Sequence, residues 1–314
     1  MPYPEELDYW TEAVSTGFGQ LSKAQAAVLA LYSYGMVMIQ HCGQTMIVTF
    51  LGMLLGIPIP NLRQRLREWN YESQQKRGKH RQAIQIETHF GSLLEFILRC
   101  WCKPRRVVLA LDVTYLRDRH TILTVSIVYR GCAIPVAWRV LNGNEKGEWH
   151  PIWVNLLERL RPAVAPDGQV LVLCDSGLYS KRLFEVIRNL GWHPFMRIRP
   201  QGLYRRLQAH KWQSLTQMAF RGMKSRCLRV HCFKTDPLTC TLWVQWQARY
   251  DEPCLIVTDL SPTHVQGNPY ALRIWIEAGF KDLKRGGLGW EQSKTVLPQR
   301  MERLLLVMAL AYFG

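Results

Sequence analysis

The chain is poor in acidic residues. Its 314 residues contain 24 Asp and Glu against 40 Lys and Arg, so the formal net charge is +16. A protein this basic usually meets a polyanion, and a protein without an anionic partner is the less favoured class. The excess is concentrated in residues 63–81, with seven Lys or Arg, and in residues 197–250, with eleven. Two separated basic blocks indicate two contact surfaces along one ligand.

Long apolar runs are also missing. The run from Met46 to Pro60 has fifteen residues and is interrupted by glycine and proline, whereas a membrane span needs about 20 residues. We therefore expect a buried helix here and no membrane partner. The first ten residues are polar and acidic, unlike a signal peptide. A hydrophobic content of 48% is enough for a buried core and excludes a disordered chain.

Regularly spaced cysteines are absent. The nine cysteines are scattered and odd in number, which is typical of reduced thiols in a cytosolic protein. Cys227, His231, Cys232 and Cys240 leave a zinc site as an alternative, although their spacing matches no closed zinc pattern. Internal repeats and low-complexity segments are missing as well.

Residues 1–103 have the periodicity of helices, and we expect an all-α N-terminal domain. Ser22 is a candidate N-cap for a helix to Ile39, and Gln44–Gly56 forms a second helix. Asn61 is expected to cap a third helix, Leu62–Tyr71. A helix pair whose second member is basic resembles a helix-turn-helix DNA reader, with a plain helical packing domain as the alternative. The candidate DNA-binding residues on this helix are Arg63, Arg65 and Arg67.

Residues 104–314 change to alternating strands and helices. The order is three strands, helix, strand, helix, strand, a basic block, strand and helix. Continuous apolar runs such as Val107–Leu111 and Gln169–Cys174 are typical of strands buried on both faces. This order favours an α/β fold, a ribonuclease H-like mixed-sheet catalytic domain. A basic β-rich insertion is expected at about residues 199–250.

Two acids follow buried strands. Asp112 comes after Val107–Leu111, and Asp175 comes after Gln169–Cys174, where chemistry gathers in α/β sheets. With Glu277 they make three carboxylates that repel each other unless a cation lies among them. Oxygen ligands suit two Mg2+ or Mn2+ ions, about 4 Å apart, that work on a phosphodiester. The alternative is that Asp112 and Asp175 are turn formers. The competing acids are Asp118, Asp259, Asp282 and Glu291.

Glu277 lies in a patterned segment, residues 270–284. Tyr270, Arg273, Glu277 and Lys284 follow the spacing Tyr-x2-Arg-x3-Glu-x6-Lys. At about 100° per residue, one helix places all four within an arc of about 60°. We expect that helix to run from Pro269 to Arg285. Its core side is expected to carry Leu272, Ile276 and Leu283.

With these motifs, residues 20 to 314 resemble the bacterial insertion-sequence transposases of the DDE class. The resemblance rests on segment 270–284, on Leu-Asp112-Val-Thr114, on Gly131-Cys-Ala-Ile-Pro135 and on Cys-Asp175-Ser-Gly-Leu-Tyr179. It implies that Asp112, Asp175 and Glu277 bind two Mg2+ or Mn2+ ions. It also implies that Tyr270, Arg273 and Lys284 hold phosphates of the transposon end.

The resemblance further implies a reaction and its partners. Water attacks the transposon end, and the freed 3′-hydroxyl attacks a second phosphodiester. The partners are double-stranded DNA, as inverted-repeat ends and target, and a second copy in a synaptic dimer. The expected location is the bacterial cytoplasm, at the nucleoid. Relatives usually continue beyond the last helix, so a truncated, non-catalytic DNA-binding remnant is one alternative. A metal-dependent nuclease of the same fold is another.

The insertion carries aromatic and basic candidates. In related transposases an aromatic of this region stacks on a flipped base, and Trp243 and Trp246 are the candidates here. Three residues apart on a strand, they face opposite sides, so at least one is expected in the core. Backbone contacts are expected from Arg221, Lys224, Arg226 and Arg229, with a solvated charged face as the alternative.

Overall fold

Helices form the N-terminal part of the chain. The computed structural model describes residues 4–77, 82–102, 105–129, 131–143, 145, 147–265 and 268–314. The helices before the first strand are α1 (Glu5–Gly17), α2 (Lys23–Ile39), α3 (Gln44–Leu55), α4 (Ile59–Trp69) and α5 (Phe90–Cys100). Short 3-10 turns at Ser73–Gln75 and Ile86–His89 lie between α4 and α5.

The predicted cap of α2 is confirmed. The Gln25 N–H donates to the Ser22 hydroxyl at 3.3 Å, and the Ser22 N–H donates to the Gln25 side chain at 2.9 Å. This reciprocal pair satisfies donors that the first turn leaves free. Gly56 follows α3 with φ of 65°, the left-handed conformation that ends a helix.

The predicted start of α4 is wrong. The helix begins at Ile59 after Pro58, not after Asn61. Pro60 falls within the first turn, where an N–H has no helical partner and a proline costs nothing. The Asn61 N–H donates to the Pro58 carbonyl at 3.0 Å, so Asn61 already lies inside the helix.

The apolar run 46–60 forms α3, the turn after it and the start of α4. Ile47, Val48 and Leu51 of α3 are buried. Among the described helices, none is long and apolar enough to span a membrane alone. Only α2 and α3 together reach the required length and composition, and they are bent by 97°.

One mixed sheet of ten strands carries the rest of the fold. Its order is β3-β2-β1-β4-β5-β10-β9-β8-β6-β7. The first three strands are antiparallel neighbours, as predicted, and β4 and β5 continue parallel to β1. The strands are β1 (Arg106–Leu116), β2 (His120–Tyr129), β3 (Cys132–Asn142), β4 (Gln169–Cys174), β5 (His193–Ile198), β6 (Leu203–Arg206), β7 (Gln213–Ser214), β8 (Arg226–Cys232), β9 (Leu238–Gln245) and β10 (Cys254–Thr258).

The basic block predicted at residues 199–250 contains β6 to β9. These strands extend the same sheet, because β10 is hydrogen-bonded to β5 on one side and to β9 on the other. The predicted domain limits stay predictions, and the boundary at residues 103 and 104 lies outside the described residues.

The remaining helices pack on the sheet. They are α6 (His150–Leu160), α7 (Lys181–Asn189), α8 (Ile274–Lys281) and α9 (Pro298–Phe313). α9 lies between β3 and the N-terminal helices. The Trp138 indole of β3 donates to the Glu302 carbonyl at 3.2 Å, and the Trp69 indole of α4 donates to the Arg303 carbonyl at 3.0 Å. α9 therefore connects the N-terminal helices with the sheet, and α5 also packs directly on β3 through Phe90 and Trp138.

Candidate active site

Asp112 and Asp175 lie at the same edge of the parallel strands. The pairing of β1 with β4 ends at Leu111 and Cys174, so each acid is the next residue along its chain. The expectation that the first strand ends at Leu111, with Asp112 after it, is wrong, because β1 continues to Leu116. Its other side stays paired with β2, where Asp112 lies opposite Thr124. Asp112 is therefore held by a strand and Asp175 by the turn after one.

Segment 270–284 contains three helix types rather than the single helix predicted. A 3-10 turn covers Pro269–Arg273, α8 follows, and a π-helix covers Asp282–Gly286. Ile276 and Leu283 are buried as predicted, whereas Leu272 is exposed. Because the helix type changes twice along the segment, the arc expected for a single α-helix does not describe the positions of the four side chains.

Two of the patterned side chains contact the aspartates directly. The Tyr270 hydroxyl donates to Asp175 Oδ1 at 3.1 Å. Arg273 Nη2 donates to Asp112 Oδ1 at 2.6 Å. Arg273 Nη1 also lies 3.7 Å from Glu277 Oε1, and the Glu277 side chain is 72% exposed. Arg273 therefore joins two of the three predicted carboxylates.

Lys284, the last residue of the pattern, belongs to the π-helix. It is half-buried. Its part in the site stays a prediction.

Arg197 was missed by the sequence reasoning. It lies on β5, with Nη1 4.0 Å from Asp175 Oδ1. The signal that finds it is its position near the end of the strand beside β4. A cleft of about 630 Å3 opens beside these groups. It is lined by Arg197, Gln245, Gln247, Arg249, Tyr250, Asp251, Glu252, Cys254, Asn268, Tyr270, Ala271, Arg273, Ile274 and Glu277.

Burial dominates the electrostatics of the site. It raises the pKa of Asp112, and the charges of Asp175 and Glu277 add to the rise. Arg273 and the Val113 N–H oppose it. Burial alone would lower the pKa of Arg273, but the neighbouring carboxylates raise it overall. Burial also raises the pKa of Tyr270, which keeps its proton for donation.

The three acids form a donor set for a hard divalent cation, since all their ligand atoms are carboxylate oxygens. Within the described ranges, no three His, Cys, Asp or Glu side chains already converge as a metal site. The Arg273 guanidinium contacts Asp112 and lies near Glu277, and the Arg197 guanidinium lies near Asp175. The residues fit a divalent ion by chemistry, with Arg273 positioned between two of them.

The predicted DNA-binding residues of the N-terminal block are all exposed. Arg63, Arg65 and Arg67 lie on α4. In the insertion, Arg221, Lys224 and Arg226 are exposed too. Arg221 donates to the Ala248 carbonyl at 2.9 Å, so one of its hydrogen-bond donors is already used within the protein.

The two candidate tryptophans differ. Trp243 is 5% exposed and packs inside β9. Trp246 follows β9, is half-buried, and donates its indole N–H to the Tyr250 carbonyl at 3.0 Å. Of the two, Trp246 is the more accessible.

The alternative sites have other contacts. Cys240 Sγ lies 3.7 Å from Cys232 Sγ, and both are buried free thiols. Asp259 accepts from His193 Nδ1 at 3.1 Å, and Asp282 accepts from the Tyr312 hydroxyl at 3.2 Å. These contacts give Asp259 and Asp282 partners away from Asp112.

Comparison with known proteins gives one family. A family model described as the transposase DDE domain matches residues 123–313. The match includes Asp175 and Glu277, and Asp112 lies before it. No curated protein matches the chain. Among solved structures, the chain is similar to piggyBac transposase in a cryo-EM synaptic complex with hairpin DNA, at 9% identity and a TM-score of 0.45. The similarity covers 98% of this chain and 72% of that one.

Proposed function

Because the match covers more than half of its length, this chain belongs to the transposase DDE domain family, and we propose that it cuts DNA at transposon ends and joins them to a target. The observation that carries the proposal is the contact of Arg273 with Asp112, beside Asp175 and Glu277. It brings Arg273, a proposed phosphate-binding residue that lines the cleft, into contact with one of the proposed metal ligands. The proposed source is a bacterial insertion sequence acting at the nucleoid, and the proposed core is ribonuclease H-like.

Asp112, Asp175 and Glu277 are the proposed ligands of Mg2+ or Mn2+. Two such ions, when bound, activate the attacking oxygen and stabilise the leaving oxygen. A rigidly placed ligand suits this task. Asp112 is fixed within β1, where it pairs with β2 and where the preceding residue, Leu111, pairs with β4. Glu277 is exposed on α8, where its carboxylate lies 3.7 Å from Arg273 Nη1.

Tyr270, Arg273 and Lys284 are the proposed phosphate contacts. Arg273 offers a planar fork of N–H donors, which matches phosphate geometry. Tyr270 keeps its phenolic proton, so it donates rather than repels a phosphate oxygen. These residues hold the phosphodiester in line with the attacking oxygen.

The same geometry serves two successive steps. In the first, a water oxygen bonds to phosphorus and the P–O3′ bond breaks, which leaves a 3′-hydroxyl and a 5′-phosphate. In the second, that hydroxyl oxygen bonds to a target phosphorus and displaces the target 3′-oxygen. Each step is an in-line displacement, so one set of residues serves both.

DNA binding outside the cleft is proposed for both basic surfaces. The exposed arginines of α4 suit one part of a duplex, and those of β8 and the loop before it suit another. Base stacking is proposed for Trp246 rather than Trp243, because Trp243 is buried. We propose a homodimer that pairs two transposon ends.

The test uses a labelled duplex with the element's own terminal repeat, with and without Mg2+. Wild type is compared with Glu277→Gln and with Glu252→Gln, which removes an acid of the same cleft without a described contact to Arg273. We expect cleavage at the repeat boundary by wild type and Glu252→Gln, and none by Glu277→Gln. Equal cleavage by all three would refute the assignment. Cleavage without joining would identify a nuclease.

A further inference from the structure

The three proposed ligand carboxylates already have partners from the chain itself. Asp112 accepts from Arg273 at 2.6 Å, and Glu277 lies 3.7 Å from the same guanidinium. Asp175 accepts from the Tyr270 hydroxyl at 3.1 Å and lies 4.0 Å from Arg197. The charge that a divalent ion would balance is thus partly balanced by protein groups.

Two of those partners, Arg273 and Tyr270, are also proposed to hold DNA phosphates. An ion bound by Asp112 and Glu277 would lie close to the Arg273 guanidinium, and two cations in a poorly solvated site repel each other. Arg273 is 14% exposed on its side chain, so water screens that repulsion weakly. The ion and the Arg273–Asp112 contact therefore compete.

A phosphate resolves this competition. Arg273 Nε is buried and has no hydrogen-bond partner, so the guanidinium has unused donor capacity. A phosphodiester oxygen gives the guanidinium a further anion to bind and weakens its hold on Asp112. Tyr270 is in the same position toward Asp175, since its one hydroxyl proton serves either the carboxylate or a phosphate.

We propose that Arg273 and Tyr270 couple the two ligands of the site, so that binding of a DNA phosphate releases Asp112 and Asp175 for divalent cations. This inference rests on the proposed function. Coupling of this kind is reciprocal and typically changes affinity by about 5- to 150-fold. Without DNA the protein binds the divalent ion weakly. The metal-dependent hydrolysis is therefore limited to phosphodiesters of a duplex that is held in the site.

The primary test measures Mn2+ affinity from the electron paramagnetic resonance signal of free Mn2+. Full-length wild type, Arg273→Gln and Arg249→Gln are titrated with and without a short duplex of arbitrary sequence. Arg249 lines the same cleft, but its described contacts are with Gln247 and Tyr250. Arg249→Gln therefore removes one positive charge from the cleft, as Arg273→Gln does, and is the matched control.

The duplex is expected to raise the Mn2+ affinity of wild type by about tenfold, within the usual range of coupling. Without DNA, Arg273→Gln is expected to bind Mn2+ more tightly than wild type and than Arg249→Gln, with little further gain from the duplex. Equal or weaker Mn2+ binding by Arg273→Gln than by Arg249→Gln overturns the coupling.

The failure of the proposed function looks different. If Asp112→Asn and Glu277→Gln bind Mn2+ as wild type does in the presence of duplex, the metal site itself is refuted. If those variants lose Mn2+ but Arg273→Gln gains none, only the coupling is refuted.

A second measurement covers the case in which Arg273→Gln does not fold. Duplex affinity is measured by fluorescence anisotropy in EDTA for Asp112→Asn and Glu252→Gln. Both remove one negative charge from the site or its cleft, but only Asp112→Asn frees Arg273. A larger gain in affinity for Asp112→Asn is expected, and equal gains overturn the proposal.

Discussion

Arg273 and Asp112 are 161 positions apart in sequence, yet their side chains are joined by a hydrogen bond of 2.6 Å. The contact fastens the segment before α8 to the middle of β1. It requires that α8 lie close against the sheet, so the packing of α8 decides the geometry of the site.

The first prediction concerns that packing. A Cβ at Gly279 of α8 would lie 2.7 Å from the Ala133 carbonyl of β3. Gly279→Ala is expected to push α8 away from the sheet and to cost about 1–3 kcal/mol of unfolding free energy, as overpacking usually does. Part of this is offset by the higher helix propensity of alanine. The free energy of unfolding measured in urea and the rate of DNA cleavage should both decrease. Gly19→Ala, with nothing within 4 Å of the added Cβ, is the control.

The second prediction separates the two tryptophans of the insertion. Trp243 lies opposite Cys227 of β8 and Ile256 of β10. Trp243→Ala is expected to lower the unfolding free energy by about 3–5 kcal/mol, the usual loss for a buried large aromatic. Trp246→Ala should cost less stability and more affinity for single-stranded DNA. A stable Trp243→Ala protein with weakened DNA binding would reverse these roles.

The third prediction addresses the arginines of α4. Replacing Arg63, Arg65 and Arg67 by Gln should weaken duplex binding for all sequences. Each lost phosphate contact reduces the slope of log affinity against log salt by roughly one. Arg99→Gln on α5 is the control, since Arg99 pairs with Glu95 at 3.8 Å. An unchanged slope in the triple variant would place the duplex elsewhere.

The fourth prediction is a pH dependence. Burial raises the pKa of Glu302 on α9, against the opposing effects of the Val140 N–H and Arg139. Between the ordinary pKa and the raised one, the folded state holds a proton that the unfolded state has lost. Stability is therefore expected to fall as pH rises through that window. Glu302→Gln should flatten this slope in urea unfolding at a series of pH values. Identical slopes would contradict it.

The strands were predictable from sequence because buried parallel strands are continuous apolar runs. β4 was predicted at its observed limits, Gln169–Cys174. β1 was predicted too short, because Asp112 looked like an end. Pairing with β2 carries the strand through that polar residue to Leu116.

The sequence pattern led to side chains that lie close together, but it did not give their geometry. The spacing of Tyr270, Arg273 and Glu277 selected side chains that the structure brings beside Asp112 and Asp175, and their roles stay predictions. One helix period does not describe their segment, which is 3-10, α and π in turn. Identifying Arg197 required knowledge of the strand order, because the adjacency of β4 and β5 brings Arg197 close to Asp175.

The pairing of β5 with β10 has a consequence for length variation. Ile198 lies opposite Leu255, so the chain leaves β5 and returns beside it in β10 at neighbouring positions. The intervening residues can lengthen, shorten or be exchanged while Asp112 and Asp175 keep their strands. Losing β9 would turn β10 into an edge strand, with unpaired backbone groups open to association with another chain. The insertion therefore also protects the molecule from self-association along that edge.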